Sequence, residues 1–347
     1  MRFYTETHKH SCGIDLHART MYVCILDPQG QVLLHQNMPT DPERFLRATA
    51  PYRDDLVVAV ECIFTWYWLA DLCADEGIAF VLGHALYMKA IHGAKAKNDK
   101  VDAAKIAALL RGGLLPQAYV YPSEMRATRD LLRRRTHFVR HRAQLLAHIQ
   151  NTHHQYNRVA PGRPIAYRSN RGGVAEGFDD PSTTKSLEAD VALIDHYEVV
   201  IRELELSVLQ RARKHDRDSY ERLKTVPGIG KVLALTILYE IHTIARFTKV
   251  QEFASYSRLV KCQASSAGKI KGTSGAKIGN AHLKWAFSEA AVLFLAKCPE
   301  GKTLLARLEK KHGKGKALSI LAHRIGRAVY FMLKNKRAFD LGRFMKR

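Results

Sequence analysis

Apolar and polar positions in the first 118 residues alternate between the spacing of strands and that of helices. Short β-branched or continuously apolar runs, bounded by turn residues, predict strands at 13–18, 22–27, 31–36, 56–61 and 78–83. Capping residues and a spacing of three to four predict helices at 41–50, 65–77 and 98–113. Because strands alternate with helices, the pattern predicts an α/β sheet domain.

Two longer segments carry apolar residues seven positions apart. The first, within 123–156, has Leu131, Phe138 and Leu145, each followed by another apolar residue, and the second has Leu187, Ile194, Ile201 and Val208. This spacing predicts two helices that pair as a coiled-coil arm. Residues 158–185, between them, are rich in Pro, Gly and polar residues and predict a mobile loop at the tip. Such an arm serves either dimerisation or the holding of a polyanion.

The rest of the chain, from residue 219, is mainly helical in pattern. Its segment VPGIG at 226–230 resembles the turn of helix-hairpin-helix modules, in which glycines, here Gly228 and Gly230, expose backbone N–H groups to a DNA phosphate. An ordinary helix connection would have the same residues. We therefore predict three domains, at 1–118, 119–215 and 216–347.

Charge is distributed very unevenly. Residues 1–118 contain 12 basic and 13 acidic residues, whereas residues 119–347 contain 43 and 20, within a chain of net charge +22. This field favours nucleic acid as the partner over a membrane surface or an acidic protein. No secretory signal or run of about 20 apolar residues is present, so we expect a cytoplasmic protein with no membrane partner. The six scattered cysteines predict neither zinc sites nor disulfides.

Arginines dominate the first arm helix, where Asp130 is the single acid of the run. A row of this kind is either a solvated helix face or, as we favour, a surface that contacts the backbone of RNA or DNA. The arginines in question are Arg126, Arg129, Arg133, Arg134, Arg135, Arg140 and Arg142.

Four acids mark the candidate catalytic site. Asp15 lies in the first predicted strand, Glu61 ends the strand at 56–61, and Asp99 and Asp102 are three apart on a helix. Together they would hold Mg²⁺, as two ions, for phosphodiester chemistry; individually each is also explained as a helix-dipole, capping or strand-end acid. Their order along strand, hairpin, strand and helix is the ribonuclease-H-like arrangement of the Holliday-junction resolvases.

A second candidate site follows near the C-terminus. The small residues Ser265, Ser266, Ala267 and Gly268 allow close approach to a phosphate, and the charge comes from Lys269, Lys271 and Lys277. A serine hydroxyl here is either a nucleophile for a scissile phosphate or an ordinary loop former.

The order of GIDLH, VVAVE, KNDKVDAAKIAALL, VPGIG and SSAGK…GAKIGNAHLKWAF resembles the DEDD transposases of the IS110 type, which include the pilin-gene inverting recombinase and the bridge-RNA-guided recombinases. The resemblance covers nearly the whole chain. It implies an α/β ribonuclease-H-like (RuvC-type) N-terminal domain, a helical coiled-coil arm, and a mainly α C-terminal domain with the helix-hairpin-helix-like motif.

The resemblance also assigns roles. Asp15, Glu61, Asp99 and Asp102 would bind the metal, and Ser266 would form a covalent phosphoserine link to DNA. The implied partners are donor and target DNA and a bridge RNA from the element itself. The implied assembly is a dimer that becomes a tetramer on DNA, with one chain's acids facing another chain's serine.

Two other functions remain open from the residues. The acids could hydrolyse DNA with water in a structure-specific endonuclease, leaving the serine a loop residue. Alternatively, the basic segments could serve a non-catalytic nucleic-acid scaffold.

Overall fold

The computed structural model describes residues 2–91, 98–159, 162, 164–262, 264–266, 268–272 and 278–346. Their contacts divide the chain into two compact units, Met1–Ser123 and Glu124–Arg347. Among the helices in these ranges, none is both long enough and apolar enough to span a bilayer.

The first unit is built on a five-stranded sheet in the order β4-β3-β2-β5-β6. Strand β3 is antiparallel to both of its neighbours, β2 and β4, and β5 and β6 run parallel to β2. This is the mixed α/β sheet that the pattern predicts, and it fits a ribonuclease-H-like domain. The elements are β1 (Phe3–Tyr4), β2 (His10–Leu16), β3 (Thr20–Leu26), β4 (Val32–Pro39), α1 (Pro42–Thr49), β5 (Leu56–Glu61), α2 (Tyr67–Asp75), β6 (Ala79–Gly83), α3 (Ala85–Ile91), α4 (Asp99–Arg111) and β7 (Leu115–Pro116).

Helices cover both faces of this sheet. On one face, Ile14 and Val60 pack with Phe45 of α1 and Leu69 of α2. On the other, Val57, Ala59 and their neighbours pack with Ile106 and Leu110 of α4. Strand β5 is buried on both sides, which explains its unbroken apolar run.

Helix α4 packs directly on the backbone of β2. A Cβ atom at Gly13 would lie 2.2 Å from the Ala107 nitrogen and 2.4 Å from the Ala103 oxygen, so only glycine permits this approach. Asn98 caps the helix, because its side-chain oxygen accepts the Val101 N–H at 2.8 Å. The contact at Gly13 and the cap at Asn98 therefore fix the N-terminus of α4 near the end of β2.

In its described residues the second unit is almost entirely helical, as the pattern predicts, with one short hairpin. Its main core joins α7, α8, α9, α10 and α12. The elements are α5 (Ser123–Gln155), α6 (Pro181–His215), α7 (Arg217–Lys224), α8 (Lys231–Ile241), α9 (Val250–Tyr256), β8 (Ala264–Ser266), β9 (Lys269–Gly272), α10 (Ala281–Lys297), α11 (Pro299–His312), α12 (Lys314–Lys334) and α13 (Leu341–Lys346).

Helices α5 and α6 form an antiparallel pair. The side chains that join them fall in residue number on one helix as they rise on the other, in the pairs Arg135–Glu205, Arg142–Glu198 and His148–Asp190. Leu187, Ile194, Ile201 and Val208 of α6 are all buried, as their seven-residue spacing predicts. The pairing is thus established, while coiled-coil supercoiling stays a prediction.

The tip of this pair carries an ordered cap, which we define as residues 164–180. Ile165 and Val174 are buried against Ile149 and Leu187 of the two helices. Arg171, also buried, forms ion pairs with two carboxylates of α6 and donates to the Ile165 carbonyl at 2.9 Å. The described part of the loop therefore differs from the mobile one that composition predicts, since buried apolar and ionic contacts hold it.

Candidate functional site

Asp15 and Glu61 lie at the same edge of the sheet. In the parallel pairing of β2 with β5, Ile14 stands opposite Val60, so the next residues in register are Asp15 and Glu61. The side chains of both residues lie on the sheet face that α4 covers. Every second residue of a strand shares a face, and Gly13, two residues before Asp15, is the point of contact with α4. Carboxyl ends of parallel strands are where α/β domains present functional groups.

The first turn of α4 brings Asp99 to this edge. The Asp99 Oδ1 atom lies 3.6 Å from Nε2 of His17, and Oδ2 of Asp15 lies 3.5 Å from the same nitrogen. Ligand atoms of these three residues all lie within 4.8 Å of one another, as a metal ion would require. The side chain of Asp15 is 15% exposed and that of Asp99 is 57% exposed, so the group opens to solvent.

Glu61 and Asp102, the other two predicted ligands, are not members of this group of three. Asp102 accepts a hydrogen bond from Lys105 at 3.3 Å, one turn further along α4. Carboxylate oxygens are the donors that Mg²⁺ prefers, and Asp15 and Asp99 supply them on converging elements. The residues therefore fit a magnesium site, with the ligand roles of all four acids still predictions.

His17 lies with these acids, although their pattern in the sequence does not indicate it. It lies two residues after Asp15 in the GIDLH segment, and this spacing of two places both side chains on the same face of an extended chain. Its backbone is held by a hydrogen bond from its own N–H to the Thr20 carbonyl at 3.0 Å and one from the Thr40 hydroxyl at 2.9 Å. The spacing of two residues therefore indicates that His17 lies beside Asp15, although no role is predicted for it from the sequence.

The predicted nucleophile lies in the second unit. Ser266 ends β8, is exposed, and is paired in register with Lys269 of β9, which is also exposed. Gly268 has a φ of 74°, which favours glycine before β9 begins. Lys271 belongs to β9, and Lys277 lies outside the described residues. The serine and one lysine are therefore presented together on a hairpin.

Most arginines of the α5 row form ion pairs with acids of the same unit. Arg126 and Arg129 are buried. Arg135 donates to Glu205 at 2.6 Å, and Arg142 lies 3.4 Å from Glu198. Arg134 and Arg140 are exposed, with Arg134 stacked 4.7 Å from the centre of the Phe138 ring. Three carboxylates of α6 and α8 therefore pair with four of the seven arginines and balance part of their charge.

Arg129 and Arg133 meet on Glu240 of α8, which is 2% exposed. Arg133 Nε donates to Oε1 at 2.7 Å, and Arg129 Nε and Asn280 Nδ2 donate to Oε2 at 3.1 and 2.7 Å. Burial raises the pKa of the carboxyl, but these hydrogen bonds and the two positive charges outweigh it and lower the pKa from 4.5 to about 2. Burial also lowers the pKa of the nearby His282 imidazole. These two arginines therefore have a structural function.

Gly228 and Gly230 lie in the turn between α7 and α8. Gly228 has a φ of 87°, and a Cβ atom there would lie 2.4 Å from the Phe294 nitrogen of α10. This glycine is needed for packing. Gly230 is exposed at the N-terminus of α8, with no atom within 4 Å of its Cβ position, so a phosphate contact through it stays a prediction.

Two sequence profiles match the chain. Residues 12–157 match that of the IS110 DEDD transposases, described as "Transposase", and residues 220–306 match one described as "Transposase IS116/IS110/IS902 family". Together the matches cover 233 of the 347 residues, in both structural units.

Curated relatives agree with these matches. A protein of Sinorhizobium fredii named as a transposase, y4qE, is 28% identical over 227 residues, which are 63% of this chain and 53% of that protein. This alignment thus spans about half of the relative's length. The transposase for insertion sequence element IS1111A of Coxiella burnetii is 21% identical over 345 residues, which are 95% of this chain and 91% of that protein.

Proposed function

Because the chain belongs to the IS110 family of transposases, we propose that it cuts and rejoins DNA strands through a covalent phosphoserine link at Ser266. Asp15, Glu61, Asp99 and Asp102 hold Mg²⁺ in this proposal. The observation that carries it is the meeting of Asp15, His17 and Asp99 at the carboxyl end of the sheet. A mixed sheet with acids at this edge is suited to phosphodiester chemistry.

Ser266 acts as the nucleophile. Its Oγ forms a bond to the scissile phosphorus, and the bond from phosphorus to the leaving deoxyribose oxygen breaks. The hydroxyl proton passes to a nearby acceptor, and the leaving oxygen takes up a proton. Because one phosphate ester replaces another, the reverse attack by a new strand end reseals DNA without an external energy source.

The acids organise the reaction centre. Mg²⁺ bound by them supplies Lewis-acid stabilisation of the charge on the phosphate oxygens. Asp15 and Asp99 bind from strand β2 and helix α4, which the contact at Gly13 fixes together. His17 faces both carboxylates and orients them through its Nε2. The serine that meets these acids belongs to another chain of a dimer or of a DNA-bound tetramer, as the family resemblance implies.

The basic second unit binds the nucleic acids. Exposed Arg134, Arg140 and Lys269 contact phosphates, and the partners are donor DNA, target DNA and a bridge RNA whose base pairing selects the sequence. Sequencing the RNA that co-purifies with the protein, expressed from its own genetic locus, tests the guide. A specific element-derived RNA is expected, and its absence would reject RNA guidance while leaving the strand chemistry in place.

The chemistry is tested by a DNA adduct on denaturing gels. The wild-type protein with Mg²⁺ and element-end DNA should form an adduct that proteinase removes. Ser266→Ala and Asp15→Asn should abolish it, whereas Ser265→Ala should retain it. Asp75→Asn, an exposed acid at the end of α2, is the matched control and should behave as wild type.

The outcomes separate the competing functions. Mg²⁺-dependent nicking without any adduct would establish the endonuclease and reject the phosphoserine. DNA binding with neither nicking nor adduct would favour the scaffold. An adduct that persists in Ser266→Ala but disappears in Ser265→Ala would move the nucleophile by one residue.

A further inference from the structure

The C-terminal segment encloses a pocket that the proposed chemistry does not use. It has a volume of about 250 Å³ and lies between α12 and the segment that follows it. Arg324, Ala328 and Phe331 recur on α12 at spacings of four and three, so they share one helix face and form one wall. The opposite wall consists of Phe339 and residues up to Phe344.

Backbone contacts hold this second wall in place. After α12 ends, Lys336 adopts a φ of 52° and the chain reverses, with the Arg337 N–H donating to the Met332 carbonyl at 3.0 Å. The Phe339 N–H then donates to the Thr225 hydroxyl at 2.9 Å, and Arg324 donates to the Phe344 carbonyl at 2.6 Å. The pocket is therefore a built feature of the fold.

Four arginines surround the opening, namely Arg324, Arg327, Arg337 and Arg343. Within the part of the chain that the structure describes, none of the four forms an ion pair with a carboxylate. The single acid on the wall, Asp340, accepts the backbone N–H of Arg343 at 2.9 Å. Burial, and to a smaller extent the charge of Arg307, lower the pKa of the Arg324 guanidinium. Arg327, Arg337 and Arg343 can therefore contact an anion.

The interior favours a flat apolar group. Phe339 and Phe344 have ring centres 5.3 Å apart, and Arg324 stacks 5.2 Å from the centre of the Phe344 ring. Binding sites for drug-sized ligands are usually about 300–1,000 Å³, so the volume here suits a single ring system. Bases that leave the helical stack are bound by aromatic and guanidinium planes in this way.

We propose that this pocket binds one unstacked nucleotide of a single strand, with the base against Phe331, Phe339 and Phe344 and the phosphate on the arginines. Residues 253–347 carry 21 basic and 4 acidic residues, so a nucleic-acid strand is drawn to this face. The inference rests on the proposed function in taking nucleic acid as the ligand. DNA and RNA share the base and the phosphate.

The experiment compares single-stranded and duplex oligonucleotides of one sequence, each made as DNA and as RNA, by fluorescence anisotropy with the full chain. Ala328→Leu fills the pocket and should weaken single-strand binding about 10-fold, since stacking of a base on aromatics is worth about 1–3 kcal/mol. Duplex binding should stay unchanged because its bases remain stacked. Arg327→Gln should weaken single-strand binding about 5-fold and lower the salt dependence by about one ion. Arg217→Gln, an exposed arginine on α7, is the matched control.

Each outcome decides the proposal. Wild-type affinity in both Ala328→Leu and Arg327→Gln would overturn it, and so would an equal loss for duplex and single strand. A loss confined to the RNA or to the DNA oligonucleotide would support the pocket and identify its strand. Adduct formation is scored on the same proteins, so failure of the pocket with an intact adduct leaves the proposed function standing. Pocket-dependent binding by a protein that never forms an adduct rejects the function alone.

Discussion

Replacing Glu240 by glutamine should destabilise the helical unit by about 3 kcal/mol, because the buried Arg129 and the half-buried Arg133 lose their counter-charge. The carboxylate accepts hydrogen bonds from Arg129, Arg133 and Asn280 and is 2% exposed. Glutamine keeps the size of the side chain, so the change removes the charge and adds no cavity.

The magnitude follows from the acidity of the group. A pKa lowered from 4.5 to about 2 corresponds to about 3 kcal/mol of preference of the folded state for the charged carboxylate. Since the folded pKa lies below the ordinary value, this stabilisation is fully present above pH 4.5 and is lost as the pH falls toward 2. The difference between wild type and Glu240→Gln should therefore narrow below pH 4.5.

Urea unfolding of both proteins, followed by circular dichroism at pH 7 and at steps down to pH 3, measures this difference. Glu205→Gln is the matched control, because Glu205 pairs with Arg135 but its side chain is 33% exposed, and it should cost less than about 1 kcal/mol. A double-mutant cycle with Arg133→Gln should give a coupling of more than about 1 kcal/mol. The reasoning would be refuted if Glu240→Gln lowered the free energy of unfolding by less than about 1 kcal/mol, or if the difference in stability from wild type did not depend on pH.

Four further substitutions, one of them a control, test contacts of the fold. Gly13→Ala places a Cβ atom 2.2 Å from the Ala107 nitrogen and should cost about 3 kcal/mol in chemical unfolding of the first unit; wild-type stability would contradict the contact between α4 and β2. Gly228→Ala meets Phe294 at 2.4 Å with a positive φ and should cost a similar amount, about 3 kcal/mol, whereas Gly230→Ala should be nearly neutral. Arg171→Met should speed amide hydrogen exchange in the cap of residues 164–180 without changing exchange in α4, and unchanged exchange in the cap would show that its ion pairs do not hold it.

Local pattern predicts the first unit well. The strand at Leu56–Glu61 has the predicted bounds, and α4 begins at Asp99 after its Asn98 cap. These elements are specified by neighbouring residues, through turn chemistry, capping and period. Parallel pairing then places strand ends together, so the meeting of Asp15 with Asp99 of α4 was predictable in outline.

Contacts between distant residues were not predictable. The ion pairs of Arg129 and Arg133 with Glu240 join residues more than 100 positions apart, and no local pattern indicates them. The β8–β9 hairpin formed within a Ser/Gly/Lys-rich interval that suggested only a loop. Composition likewise could not show that Arg171 anchors the cap, since burial of an arginine depends on acids of another helix.

The compensated arginines change where nucleic acid should be sought. A count of charge along α5 treats each guanidinium as free, but Glu240, Glu205 and Glu198 of α8 and α6 pair with four of its arginines. Long-range attraction depends on what is left after such pairing. Residues 253–347 have only 4 acids against 21 basic residues, so internal pairing cannot remove their field. We therefore predict that the dominant strand-binding surface belongs to the C-terminal helices, with α5 contributing through its exposed arginines.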